Sequence, residues 1–121
     1  MTASPIVVVI EDDPHSAEAL ALILRDWGAE TFVGDRPEPV LRQLGERAAQ
    51  ISWIITDYHL GDGFTGIDAV RTLLAVAPDA RVLVLTGAFD GRGEMRSAAA
   101  GLDIIFKPAG ADAIVAWLET P

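Results

Sequence analysis

The chain has 121 residues, enough for one hydrophobic core, and half of them are apolar, which excludes an intrinsically disordered polymer. Asp and Glu number 18 against nine Lys and Arg, a formal charge of -9, so nucleic acid is not expected as a direct partner. No cysteine is present, which removes disulfides, thiolate metal sites and a Cys nucleophile.

Every apolar run is far shorter than the roughly 20 residues that span a bilayer. Met1-Thr2-Ala3-Ser4-Pro5 lacks the basic start and long apolar stretch of a signal peptide. No membrane insertion is expected, and a cytoplasmic location is.

In chain order, Ile6 to Ile10 is an unbroken β-branched run that stops at Glu11-Asp12-Asp13-Pro14, the pattern of a strand buried on both faces. Ala17, Leu20, Ala21, Leu24 and Trp27 then recur at helical spacing up to Gly28. Glu30 to Val33 reads as a second strand. Pro37 opens a helix that carries Val40, Leu41, Leu44 and Ala48 on one side. Ile51 to Thr56 is a third strand ending in Asp57, followed by the loop Leu60-Gly61-Asp62-Gly63-Phe64.

Ile67, Val70, Leu73 and Leu74 mark a third helix that stops before Pro78. Arg81 to Leu85 is a fourth strand, followed by Thr86-Gly87. Residues 91–100 form a weaker helix, with only Met95 and alanines on its apolar side. Asp103 to Phe106 is a fifth strand ending at Lys107-Pro108, and a last helix covers about 111–118. Five β-α units with no repeat or linker predict one domain over residues 1–121. Right-handed crossovers make it a flavodoxin-like, doubly wound α/β fold: a five-stranded parallel sheet, order 2-1-3-4-5, with helices on both faces.

Ligands bind such sheets beyond the carboxyl ends of the strands, where the strand order reverses. Here that point lies between the first strand, ending in Glu11-Asp12, and the third, ending in Asp57. A single Asp at a strand end ordinarily caps a helix, and Asp13 before Pro14 reads that way. Three carboxylates in one crevice repel one another unless a cation joins them, and an all-oxygen set suits Mg2+. Thr86 and Lys107 reach the same rim from the fourth and fifth strands. Lys107 is the lone lysine beside eight arginines, as if a compact ammonium were wanted there. A metal site, a carboxylate nucleophile, a hydroxyl and an ammonium are the parts needed to transfer a phosphoryl group to aspartate.

These stretches resemble the receiver domain of two-component response regulators: Val8-Val9-Ile10-Glu11-Asp12-Asp13-Pro14, Thr56-Asp57-Tyr58-His59-Leu60 with Gly63 and Gly66, Leu85-Thr86-Gly87, and Phe106-Lys107-Pro108. The resemblance implies that Asp57 is the phosphoacceptor, served by a histidine kinase or phosphotransfer protein. It implies Mg2+ bound by Asp12, Asp57 and the His59 backbone carbonyl, with Glu11 acting through water. Thr86 and Lys107 would bind the phosphoryl group.

One position departs from the family. Ile104 stands where receivers commonly carry the aromatic that swings with the threonine, which puts the usual readout in doubt. Phe89 and Phe106 read as core or its edge. The fifth strand looks more like receivers attached to hybrid histidine kinases. The glycine-rich segment 87–93 and the weak helix after it are expected to move on phosphorylation. His15 reads as solvated, whereas His59 is expected to border the phosphoryl group and affect its hydrolysis.

The leading expectation is a phosphorylation-controlled switch in a phosphorelay, not an enzyme with an external substrate. It is either a stand-alone regulator or part of a larger protein, and dimerisation is left open. The alternatives are a degenerate receiver that binds partners without phosphorylation and an aspartyl-phosphate phosphohydrolase. Phosphohydrolases of that sort want the nucleophile on the first strand and a second Asp two residues later, where this chain has His59. A nucleotide or flavin binder lacks the glycine loop after the first strand.

Overall fold

A computed structural model of the chain describes residues 4–87 and 101–120. Five parallel strands form one sheet in the order β2-β1-β3-β4-β5, as the alternating pattern predicts. They are β1 (Ile6–Ile10), β2 (Glu30–Gly34), β3 (Ile51–Asp57), β4 (Arg81–Thr86) and β5 (Asp103–Phe106). The helices among the described residues are α1 (Pro14–Trp27), α2 (Pro37–Leu44), α3 (Gly66–Val76) and α4 (Ala111–Glu119). The expected helix at 91–100, the glycine-rich segment before it and Phe89 lie outside the described residues.

All five residues of β1 are buried because the strand is central and covered on both sides. Successive side chains alternate. Ile6, Val8 and Ile10 join Val40 of α2 and Ile67, Val70 and Leu73 of α3. Val7 and Val9 join Leu20 and Leu24 of α1 and Ile114, Trp117 and Leu118 of α4. Full burial of each large aliphatic side chain contributes about 1.5–3 kcal/mol, so two apolar layers fix the central strands and thereby the ends that carry the polar residues.

Local chemistry sets the helix ends. Asp13 caps α1, accepting from the Ser16 backbone N–H at 3.0 Å, and Pro14 follows in the first turn. Gly28 closes the helix at φ 115°, a left-handed conformation that suits glycine. Thr65 and Asp68 form a reciprocal capping box at the start of α3.

The helix expected to run from Pro37 through Ala48 is divided. Gly45 takes φ 58°, ending α2 at Leu44, and Gly45–Gln50 continues as a 3-10 segment that still buries Ala48.

Candidate functional site at the C-terminal rim of the sheet

Register places the acidic residues side by side. Ile10 pairs with Thr56, so the next residues, Glu11-Asp12 and Asp57, emerge from adjacent strands. Glu11 extends the β1–β2 ladder by donating its N–H to the Gly34 carbonyl at 3.0 Å. The Tyr58 N–H donates to the Leu85 carbonyl at 2.9 Å and fixes the exit from β3. Thr56 Oγ1 donates to the Asp57 carbonyl at 2.9 Å. A Cβ on Gly66 would run into that same carbonyl, so only glycine lets α3 start this close to Asp57.

Carboxylate oxygens of Glu11, Asp12 and Asp57 lie within 4.8 Å of one another. Glu11 is buried, Asp12 exposed and Asp57 between the two. Glu11 Oε1 accepts from the Asp13 N–H at 3.1 Å. Lys107 Nζ stands 3.2 Å from Asp57 Oδ1 and 3.5 Å from Glu11 Oε2.

Burial raises the pKa of both Glu11 and Asp57, and Lys107 only partly offsets this. Burial also works to lower the pKa of Lys107, but the Asp57 and Glu11 charges outweigh it and hold the ammonium above its ordinary value. One ammonium thus pairs with two of three clustered carboxylates. Those carboxylates form an all-oxygen donor set, whose crowding a hard divalent cation would relieve.

Thr86 closes β4 with its side chain buried, and no hydrogen bond engages its hydroxyl among the described residues. Its carbonyl accepts from the Lys107 N–H at 2.7 Å, tying the two residues together across neighbouring strands. At Gly87 an added Cβ would stand 3.4 Å from Lys107 Cβ, in ordinary van der Waals contact with the lysine stem. A cavity of about 540 Å³ adjoins the cluster, lined by Glu11, Ser16, Leu20, Lys107 and Pro108 among others.

The remaining sequence candidates fall around this centre. Asp13 is a cap, and His15 is exposed. His59 is exposed, bridges to Thr65 in the loop after β3 and lies edge-on to Tyr58 at 4.8 Å. Ile104 pairs with Val84, and both Ile104 and Phe106 pack on the α2–α3 side of the sheet. Phe106 is at the core's edge, as expected. Sequence reasoning passed over Arg36, which reaches the loop after β3. Its one visible signal is that it occupies the cap position of α2, where a short polar side chain is usual.

The fold and this acidic rim are those of a receiver. The chain belongs to the response regulator receiver domain family, whose model matches residues 7–119. It is 31% identical over 120 residues to the photosynthetic apparatus regulatory protein RegA of Rhodovulum sulfidophilum, covering 94% of this chain and 61% of that protein. It is 29% identical over 114 residues to the cell cycle transcriptional regulator CtrA of Caulobacter vibrioides, covering 93% of this chain and 48% of the relative. The chain therefore spans about half the length of these relatives.

Among solved structures, a response regulator from Burkholderia pseudomallei carrying a phosphorylated aspartic acid, a calcium ion and citrate is 29% identical, with a TM-score of 0.77 over 97% of this chain and 68% of that one. A response regulator receiver protein from Pseudomonas putida is 25% identical, with a TM-score of 0.76 over 98% of both chains. No described helix is long and apolar enough to cross a membrane.

Proposed function

We propose that this chain, as one domain over residues 1–121, is an active phosphoacceptor of a two-component phosphorelay, with Asp57 as the residue modified. The observation that carries the reading is the pairing of Asp57 with Lys107 at 3.2 Å inside the three-carboxylate cluster. A carboxylate oxygen of Asp57 attacks the phosphorus of a phosphohistidine on a histidine kinase or phosphotransfer protein. The P–N bond breaks, its electron pair stays on the imidazole nitrogen, and that nitrogen takes up a proton. Asp57 needs no general base, because its attacking form is the ionised carboxylate.

Asp12, Asp57 and the His59 carbonyl would hold Mg2+, with Glu11 acting through water. When bound, the cation would neutralise charge on the phosphoryl oxygens. Lys107 supplies a second positive charge there, placed before transfer by its contacts with Asp57 and Glu11. The buried Thr86 hydroxyl donates to a phosphoryl oxygen after transfer. His59, exposed beside the acceptor, affects how readily water reaches the acyl phosphate. With Ile104 in the aromatic's usual place, the readout runs without an aromatic swing at that position. The reading is that of a cytoplasmic signalling switch with no external substrate, consistent with regulatory relatives.

The test is intact mass after incubation with Mg2+ and a small-molecule phosphodonor. Wild type is expected to gain one labile phosphoryl group and Asp57→Asn none. No adduct on wild type would establish a phosphorylation-independent interaction module. Continuous phosphate release from an unrelated monoester would establish a phosphohydrolase.

A further inference from the structure

Arg36 stands between β2 and α2, half-buried, in a chain of net charge -9. Yet no carboxylate among the described residues pairs with it. Its guanidinium donates instead to three main-chain carbonyls: Asp35 at 2.7 Å, Leu60 at 2.9 Å and Gly61 at 3.3 Å. The guanidinium carbon also lies 4.6 Å from the centre of the Phe64 ring.

Topology gives these bonds their meaning. Since β1 lies between β2 and β3, a side chain leaving β2 for the loop after β3 crosses the C-terminal end of β1. Glu11 and Asp12 sit at that end. The loop it grips includes His59, and a Cβ on Gly61 would stand 3.6 Å from Asp12 Oδ2. Gly61, Asp62 and Gly63 take φ of 82°, 55° and 74°, three successive residues in the left-handed region. Within the loop, the Leu60 N–H donates to the Phe64 carbonyl at 3.1 Å and the Phe64 N–H to the Gly61 carbonyl at 3.0 Å. Arg36 is the clamp from outside.

We infer that Arg36 is a positioning residue for the cation site: it straps the loop over the end of β1 and so fixes the backbone that carries His59 relative to the Asp12 carboxylate. The inference rests on the receiver reading of that site given above. Charge and geometry predict opposite signs for its loss. A guanidinium near a cation site repels the ion, so removing charge alone would tighten Mg2+ binding. Removing the strap loosens the donor set and weakens binding.

The experiment is calorimetric titration of Mg2+ alone into the full chain, with metal-free melts of every variant. Relative to wild type, Arg36→Met is expected to bind about tenfold more weakly, the usual scale when a group supporting metal ligands is lost. Arg36→Lys keeps the charge but not the planar fork, so it is expected to resemble Arg36→Met. Phe64→Leu keeps the hydrogen bonds and is expected to lose less, and it tests the strap should the Arg36 variants fold poorly. Metal-free melting temperatures are expected to move little.

Equal or tighter binding by Arg36→Met overturns the strap alone, as does full recovery in Arg36→Lys. A large loss of melting temperature with unaltered affinity in the folded fraction overturns it too, assigning Arg36 to stability. A wild type that binds no Mg2+ overturns the cation reading of the site and this inference with it.

Discussion

The two rims of the sheet both carry clusters of ionisable groups, arranged on opposite principles. At the N-terminal rim Asp103 accepts from Trp117 Nε1 at 2.7 Å and pairs with Arg81 at 3.5 Å. Arg81 also bonds the Thr120 carbonyl and lies 5.0 Å from the centre of the Trp117 ring. One acid meets one base, and the donors find acceptors within the cluster. At the C-terminal rim three carboxylates cluster, and the one ammonium among them pairs with two. The first rim fastens α4 to the sheet. The second is left with a charge imbalance that folding alone does not need and that a divalent cation would neutralise. Charge balance and burial both separate this fastening from this site: Asp103 is exposed, whereas Glu11 is buried and Asp57 half-buried.

The strongest break of this contrast is metal linkage. Mg2+ at a hundred times its Kd is expected to stabilise wild type by about 2.7 kcal/mol. Denaturation with and without a chelator should show that increment undiminished in Asp103→Asn and greatly reduced in Asp12→Asn. Equal loss in both variants would erase the distinction between the rims.

Next in size is the fastening itself. Asp103→Ala, which removes the acceptor, is expected to cost about 1 kcal/mol by urea unfolding, mainly through the Trp117 hydrogen bond. The partly exposed Arg81 pair adds little.

The smallest effect is one of pH. Burial raises the folded-state pKa of Asp57, so ionising it is harder in the folded chain than in the unfolded one. The stability linked to the neutral form is full below the ordinary carboxylate range and lost as pH rises through the raised value. Metal-free Asp57→Asn should therefore melt like wild type below the ordinary carboxylate range and higher than wild type at neutral pH. Melts across that span, with no divergence or with the opposite sign, would count against an under-compensated rim.

The strands, their order and the cluster at the switch point were legible because each rests on a local pattern: β-branched runs, helical spacing, and polar residues where the runs stop. Asp13 could be separated from Asp12 because Pro14 marks a helix start. Less legible was Gly45, since a single glycine amid a periodic apolar stripe does not announce φ 58°. The bonds of Arg36 and of the Arg81–Asp103–Trp117 fastening were not legible. Apart from Asp35, their partners lie 14 to 39 residues away along the chain, and five of the bonds go to carbonyls, which every residue has. No residue type marks a carbonyl that an arginine will seek.

One arrangement bears on how this molecule can be watched. The chain has three tryptophans, and all three lie on the α1–α4 side of the sheet, with Trp27 edge-on to Trp53 at 5.5 Å and Trp117 in the same apolar layer. Tyr58, next to the proposed acceptor, belongs to the other side. Indole emission is thus a one-sided reporter. A partner that seats on α1 and α4 will register directly in it, whereas one that seats on α2 and α3 will stay dark unless its effect crosses the sheet.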